Sequence, residues 1–127
     1  MKLMDKERMF AFEDLLVWQK SMDYAEIVIK TIDLFDAPRK HFRIIEQIES
    51  SAISILSNIA EGKGRFSKKE FVHYLYIARG SLFESISLII LVRRLSWISE
   101  EKLIELKLIG EEIAKMLNSL IKSVKNN

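Results

Sequence analysis

Ser54, Ser57, Asn58 and Glu61 recur at three- and four-residue intervals, so on a helix their side chains form one polar stripe. Arg79, Ser81 and Glu84 follow at spacings that suit a facing helix. Hydroxyl, amide, carboxylate and guanidinium groups can build a hydrogen-bonded or ionic network, but they lack the nucleophile and base that acyl or phosphoryl transfer needs. The expectation is therefore a structural network or a subunit boundary, and not an enzyme; a ligand or catalytic site is the alternative. On that expectation Glu61→Ala lowers stability or disrupts assembly. Glu70-x-x-His73 has the spacing of a di-iron bundle pair, yet such a site needs a second pair and two further glutamates. The other histidine, His41, lies in the cationic run Arg39-Lys40-His41-Phe42, so no metal and no cofactor are expected. Gly62-x-Gly64-Arg65 lacks the preceding strand and the full spacing of a phosphate loop, and it reads as a helix stop.

Phosphate recognition is the chemistry best supported by residue type. Lys63, Arg65, Lys68 and Lys69 surround Ser67, where a helix start adds free amides and a favourable dipole. A second cluster comprises Arg39, Lys40, Arg43, Arg93 and Arg94, with Trp97 as a candidate stacking surface. A solvated surface is the alternative for both. The net charge of +2 conceals an uneven distribution. Residues 1–36 hold five Lys/Arg against eight Asp/Glu; residues 67–98 hold five against two. An acidic first helix and basic middle helices could pair between subunits as readily as the basic part could bind nucleic acid.

The elements that must position these groups are helices. Among 127 residues there are one proline, four glycines and no cysteine, which predicts a single all-α domain without disulfides. Its first residues lack a signal-peptide core, and the longest apolar run, Ile86–Val92, is short for a bilayer. A cytoplasmic protein with no membrane partner is expected. Apolar periodicity places helices at about residues 13–35, 38–62, 67–96 and 99–125. The first has the seam Leu15, Trp18, Met22, Ala25, Ile29 and Ile32; the third shows two seams, which fits burial on more than one side. Ser67 with Glu70 and Ser99 with Glu100 mark helix starts. Short connections then imply an antiparallel up-down-up-down four-helix bundle with a basic cluster at each end.

Three stretches carry a family likeness. Phe12-Glu13-Asp14-Leu15-Leu16-Val17-Trp18-Gln19-Lys20, then Ser57-Asn58-Ile59-Ala60-Glu61-Gly62-Lys63-Gly64-Arg65, then Phe71, Tyr74-Leu75, Ile77-Ala78, Gly80-Ser81-Leu82 and Glu84, occur in order and at suitable spacing. They resemble the motifs of a bacterial four-helix-bundle family encoded in intervening sequences of large-subunit ribosomal RNA genes. The resemblance implies a bundle that assembles as a ring, commonly a homopentamer, without established enzymatic activity. It also extends to the accessory variability determinant proteins of diversity-generating retroelements, and so implies RNA or DNA and a reverse transcriptase as partners. The function expected on these grounds is a non-enzymatic, ring-forming scaffold for structured RNA or a nucleic-acid–protein complex; the alternative is a homo-oligomeric assembly factor that binds protein alone.

Overall fold

The computed structural model describes residues 9–38 and 41–127. A 3-10 turn, Ala11–Asp14, precedes helices α1 (Leu16–Ile32), α2 (Phe42–Lys63), α3 (Lys68–Arg94) and α4 (Glu100–Asn126). The helices form an antiparallel four-helix bundle. Each packs on its chain neighbours and α1 closes on α4, leaving α1 and α3 at opposite corners. The first helix begins later than its periodicity suggests because Leu15 is extended, with ψ 120°, between the turn and α1. The turn is held by Phe10 N–H donating to Glu13 Oε1 at 3.0 Å and by Gln19 Nε2 donating to the Glu13 carbonyl at 2.8 Å. Pro38 opens a turn ahead of α2, its carbonyl accepting from His41 N–H at 3.1 Å.

Ile48, Ala52, Ile55 and Ile59 of α2, Leu75, Ala78, Leu82, Ile89 and Val92 of α3, and Leu106, Ile113 and Leu117 of α4 fill the core. These are the positions that their heptad spacing selects. The buried face of α1 is rotated partway from its expected seam: Val17, Ser21, Tyr24, Ala25, Val28 and Thr31 turn inward, Leu15, Trp18 and Ile32 pack at the margin of the core, and Ile29 is exposed. Tyr24 decides this rotation. Its ring lies wholly in the core and its hydroxyl meets Ser85 Oγ at 2.8 Å across the bundle diagonal. Burial raises the Tyr24 pKa to about 12, while the Ser85 bond acts the other way.

Close helix approach explains two glycines. A Cβ on Gly110 would lie 2.8 Å from Ile86 Cδ1, and one on Gly62 would lie 2.6 Å from Tyr74 Cβ. The helix stop expected here is present, α2 ending at Lys63 with Gly64 as its C-cap and the Gly62 carbonyl accepting from Arg65 N–H at 3.1 Å; Gly62 is in addition a contact point with α3. The left-handed backbone belongs instead to Ser96, φ 64°, which ends α3. Ser96 N–H bonds the Arg93 carbonyl and Trp97 N–H bonds the Val92 carbonyl, each at 2.9 Å, closing the last turn. Ser67 and Ser99 cap α3 and α4, each hydroxyl accepting at 3.1 Å from the backbone N–H three residues on.

By length and composition α3 alone among the described helices is apolar enough to cross a bilayer; here one side of it is core and apolar surplus remains outside. Two outcomes follow. Ser96→Gly should raise stability by about 1 kcal/mol in denaturant unfolding, because glycine accepts positive φ without a Cβ clash. Since the folded Tyr24 pKa exceeds its unfolded value near 10, Tyr24 stabilises fully below pH 10, and that contribution declines as pH rises toward 12. Tyr24→Phe should lack this alkaline loss, of roughly 1–3 kcal/mol, when unfolding is compared at pH 9 and 11.5.

Candidate nucleic-acid interface

At the α2–α3 end, the Ser67 cap starts α3 with Lys68 and Lys69 exposed on its first turn. The antiparallel course of α4 returns its last turn to the same place. Lys68, Lys69 and Lys125 accordingly line one surface cleft of about 320 Å³, floored by Val72 and Val124 and without a carboxylate in its lining. Lys63 and Arg65 stand at the adjoining end of α2. Lys63 Nζ lies 5.6 Å from the Phe71 ring centre, and the Arg65 guanidinium lies 4.9 Å from that of Tyr74. Arg65 also bonds Glu61 at 2.8 Å and donates to the Tyr74 hydroxyl at 2.6 Å. Its charge is therefore partly matched, while the three lysines of the cleft have no ion-pair partner among the described residues.

The opposite end is built differently. Trp97 is only 7% exposed, packed against Phe35 and His41, and its carbonyl accepts from Asp36 N–H at 3.2 Å. It fastens the α1–α2 and α3–α4 connections together, which corrects its expected role as a stacking surface. Arg93 is engaged by Glu100 at 2.9 Å and reaches the Ile98 carbonyl. Arg43 and Arg94 are exposed; Arg39 and Lys40 lie outside the described residues. Among the described members of this second cluster, Arg43 and Arg94 are thus open to a phosphate.

The polar stripe separates into distinct contacts. Ser54 and Ser81 meet hydroxyl to hydroxyl at 2.8 Å across α2 and α3, and Asn58 Nδ2 bonds back to Ser54 Oγ at 2.9 Å. Glu84 accepts from Gln47, a partner that residue spacing did not suggest. Arg79 turns to α4, donating to Asn118 Oδ1 at 2.8 Å, and not to the α2 stripe. Ser57 faces a cleft of about 520 Å³ with Phe12, Trp18, Glu61 and Gly64, where the first two motif stretches meet. Glu61 is surface-exposed and paired with Arg65 just beyond the end of its helix, so its removal is a minor loss. The helices also form an aromatic and cationic surface that the motifs do not announce: the Arg79 guanidinium lies 4.9 Å from the Tyr76 ring centre and 6.0 Å from that of Phe83. The seven-residue spacing of these rings about Arg79 was the available signal.

The sequence pattern described as 23S rRNA-intervening sequence protein matches residues 13–119. The chain belongs to that family. A crystal structure from Bacteroides thetaiotaomicron, of a protein with unknown function from the S23 ribosomal protein family, superposes with a TM-score of 0.78 at 29% identity. The match covers 84% of this chain and 99% of that one. A comparison with curated proteins finds no match. Family membership therefore carries the bundle and its motifs, and the chemistry of the site rests on the residues above.

In unfolding experiments Ser54→Ala should cost about 1 kcal/mol by leaving Ser81 and Asn58 short of a partner. Glu61→Ala should stay within about 0.5 kcal/mol, as surface ion pairs do; the reverse order would contradict this division of the stripe.

Proposed function

We propose that this protein is a non-enzymatic, self-assembling helical scaffold whose α2–α3 end binds the phosphates of structured RNA or of a nucleic-acid–protein complex. The observation that carries the reading is the cleft of Lys68, Lys69 and Lys125, a concentration of unmatched positive charge in a chain of net charge only +2. Three ammonium groups per copy give weak binding alone; a ring of copies multiplies them and gains avidity. The likeness to accessory variability determinant proteins makes a reverse transcriptase complex a fitting partner and a pentamer a fitting count. A cytoplasmic location goes with this reading. The second reading, an assembly factor that binds protein alone, is favoured by the acidic balance of residues 1–36, where Asp23 and Asp33 have no cationic partner among the described residues.

Fluorescence anisotropy with a structured RNA across a salt series separates the two. Log affinity should fall linearly with log salt, with a slope of about −0.9 or less steep for each phosphate contacted. Lys68→Glu with Lys69→Glu should weaken low-salt binding by at least ~10-fold, and Arg94→Glu by less than ~2-fold, since phosphate contacts act through charge. Absence of low-salt binding would leave the protein-only reading standing.

A further inference from the structure

Phe66 is the most exposed large apolar side chain among the described residues, at 108%, the accessibility of a ring in free solvent. Single apolar residues at a surface are ordinary. This one differs in how firmly it is presented and in what surrounds it. It lies in the short connection between α2 and α3, and the residue on each side of it is anchored. Arg65 is held by Glu61 at 2.8 Å, by the Tyr74 hydroxyl at 2.6 Å and over the Tyr74 ring at 4.9 Å. Ser67 accepts from Glu70 N–H through its hydroxyl and from Phe71 N–H through its carbonyl, both at 3.1 Å. Phe66 therefore projects from a backbone fixed at both neighbours, and little freedom is left to lose when a partner covers the ring.

The surroundings are cationic. Residues 61–70 hold Lys63, Arg65, Lys68 and Lys69, and Lys125 joins the two α3 lysines in their cleft, so five cations stand against two carboxylates. Glu61 is taken up by Arg65, and Glu70 is exposed on the first turn of α3. A second aromatic surface begins at Gly64: Phe12 shares a cleft with it, and Phe10, 63% exposed, is stacked on Phe12 at 5.6 Å. A partner that satisfies bare rings and surplus cations together is one that alternates flat faces with phosphates. A bilayer suits the site less well. Even a myristoyl chain gives only marginal anchoring, a single phenyl ring is smaller, and an anionic surface would repel Glu70.

We infer that Phe66 is a stacking platform for an unpaired base, so that the RNA seated on the lysines of this end is single-stranded there: a hairpin loop, a bulge or a tail. Inside a duplex the base faces cover one another and leave the ring without a partner. Splayed bases in single-stranded segments do stack on aromatic side chains. Lysines precede and follow Phe66 in the chain, which suits phosphates on both sides of the stacked nucleotide. The inference rests on the phosphate-binding half of the proposed function and names the form of RNA that the site takes.

Two RNA probes test this by fluorescence anisotropy at low salt: a hairpin with an unpaired loop, and a duplex of the same number of nucleotides. The wild-type chain should bind the hairpin at least ~5-fold more tightly, the gain from one stacked base. Phe66→Ala should abolish that preference, weakening hairpin binding by at least ~5-fold and leaving duplex binding within ~2-fold. Its salt slope should match the wild type, because no phosphate contact is lost, and Phe66→Trp should keep the preference. Lys68→Glu with Lys69→Glu should instead weaken both probes. Hairpin affinity untouched by Phe66→Ala, or lost on hairpin and duplex alike, would refute the platform while the lysine site stood. Absence of low-salt binding of either probe by the wild-type chain would remove the site and the platform together. Native mass is read in parallel: hairpin affinity that falls only together with oligomer mass would make Phe66 an assembly contact and overturn the inference. Cosedimentation with phosphatidylserine vesicles that Phe66→Ala abolishes, with hairpin binding unchanged, would assign the ring to a lipid surface and overturn it as well.

Discussion

A helix at the corner of a square bundle has two neighbours, so about half its circumference remains outside, and α3 is apolar around more than that half. Leu75, Ala78, Leu82 and Ile89 satisfy the core, but Ile77, Phe83, Ile90 and Leu91 are still exposed. Being 38–55% exposed, each forgoes on the order of 1 kcal/mol of burial. The mismatch between one helix's apolar arc and the two helices available to cover it shapes the rest of the molecule. It leaves an apolar surface on α3 that the proposed assembly would cover, and it leaves the charged groups at the bundle ends and along α1.

Tyr24 shows how a single polar core contact redistributes a surface. By reaching Ser85 across the diagonal it turns Val17 and Val28 inward, and Ile29 comes to the outside. The expected seam Leu15, Trp18, Met22, Ala25, Ile29 and Ile32 shares Ala25 with the buried face and flanks it through Leu15, Trp18 and Ile32, but the sequence offers no rule for centring burial on Ser21, Tyr24 and Thr31. Spacing alone therefore found the side of α1 that meets the core and not its centre. For α2, α3 and α4 the apolar types are aligned with one face, and periodicity sufficed to find the core.

At the site, legibility follows the range of the interaction. The caps at Ser67 and Ser99 are local and were readable; the lysines beside Ser67 were readable as a cluster for the same reason. Whether Arg79 pairs with α2 or α4, and whether Trp97 stacks outward or packs inward, depends on which helices flank α3 and how the loops cross. Those facts exist only once the bundle has formed. The positive φ of Ser96 was hidden because no glycine marks it, and at Gly62 the helix stop was readable while the contact with α3 was not.

The two ends of the bundle consequently differ in kind. One is a locked junction around Trp97 with Arg93 already neutralised, and the other is an open lysine cleft joined to the basic side of α3. This polarity gives the molecule two unlike ends. Sedimentation equilibrium of the wild-type chain tests this account most directly. It predicts a discrete species several times the 14.9 kDa chain mass that persists on dilution; a folded protein of single-chain mass at high concentration would contradict it.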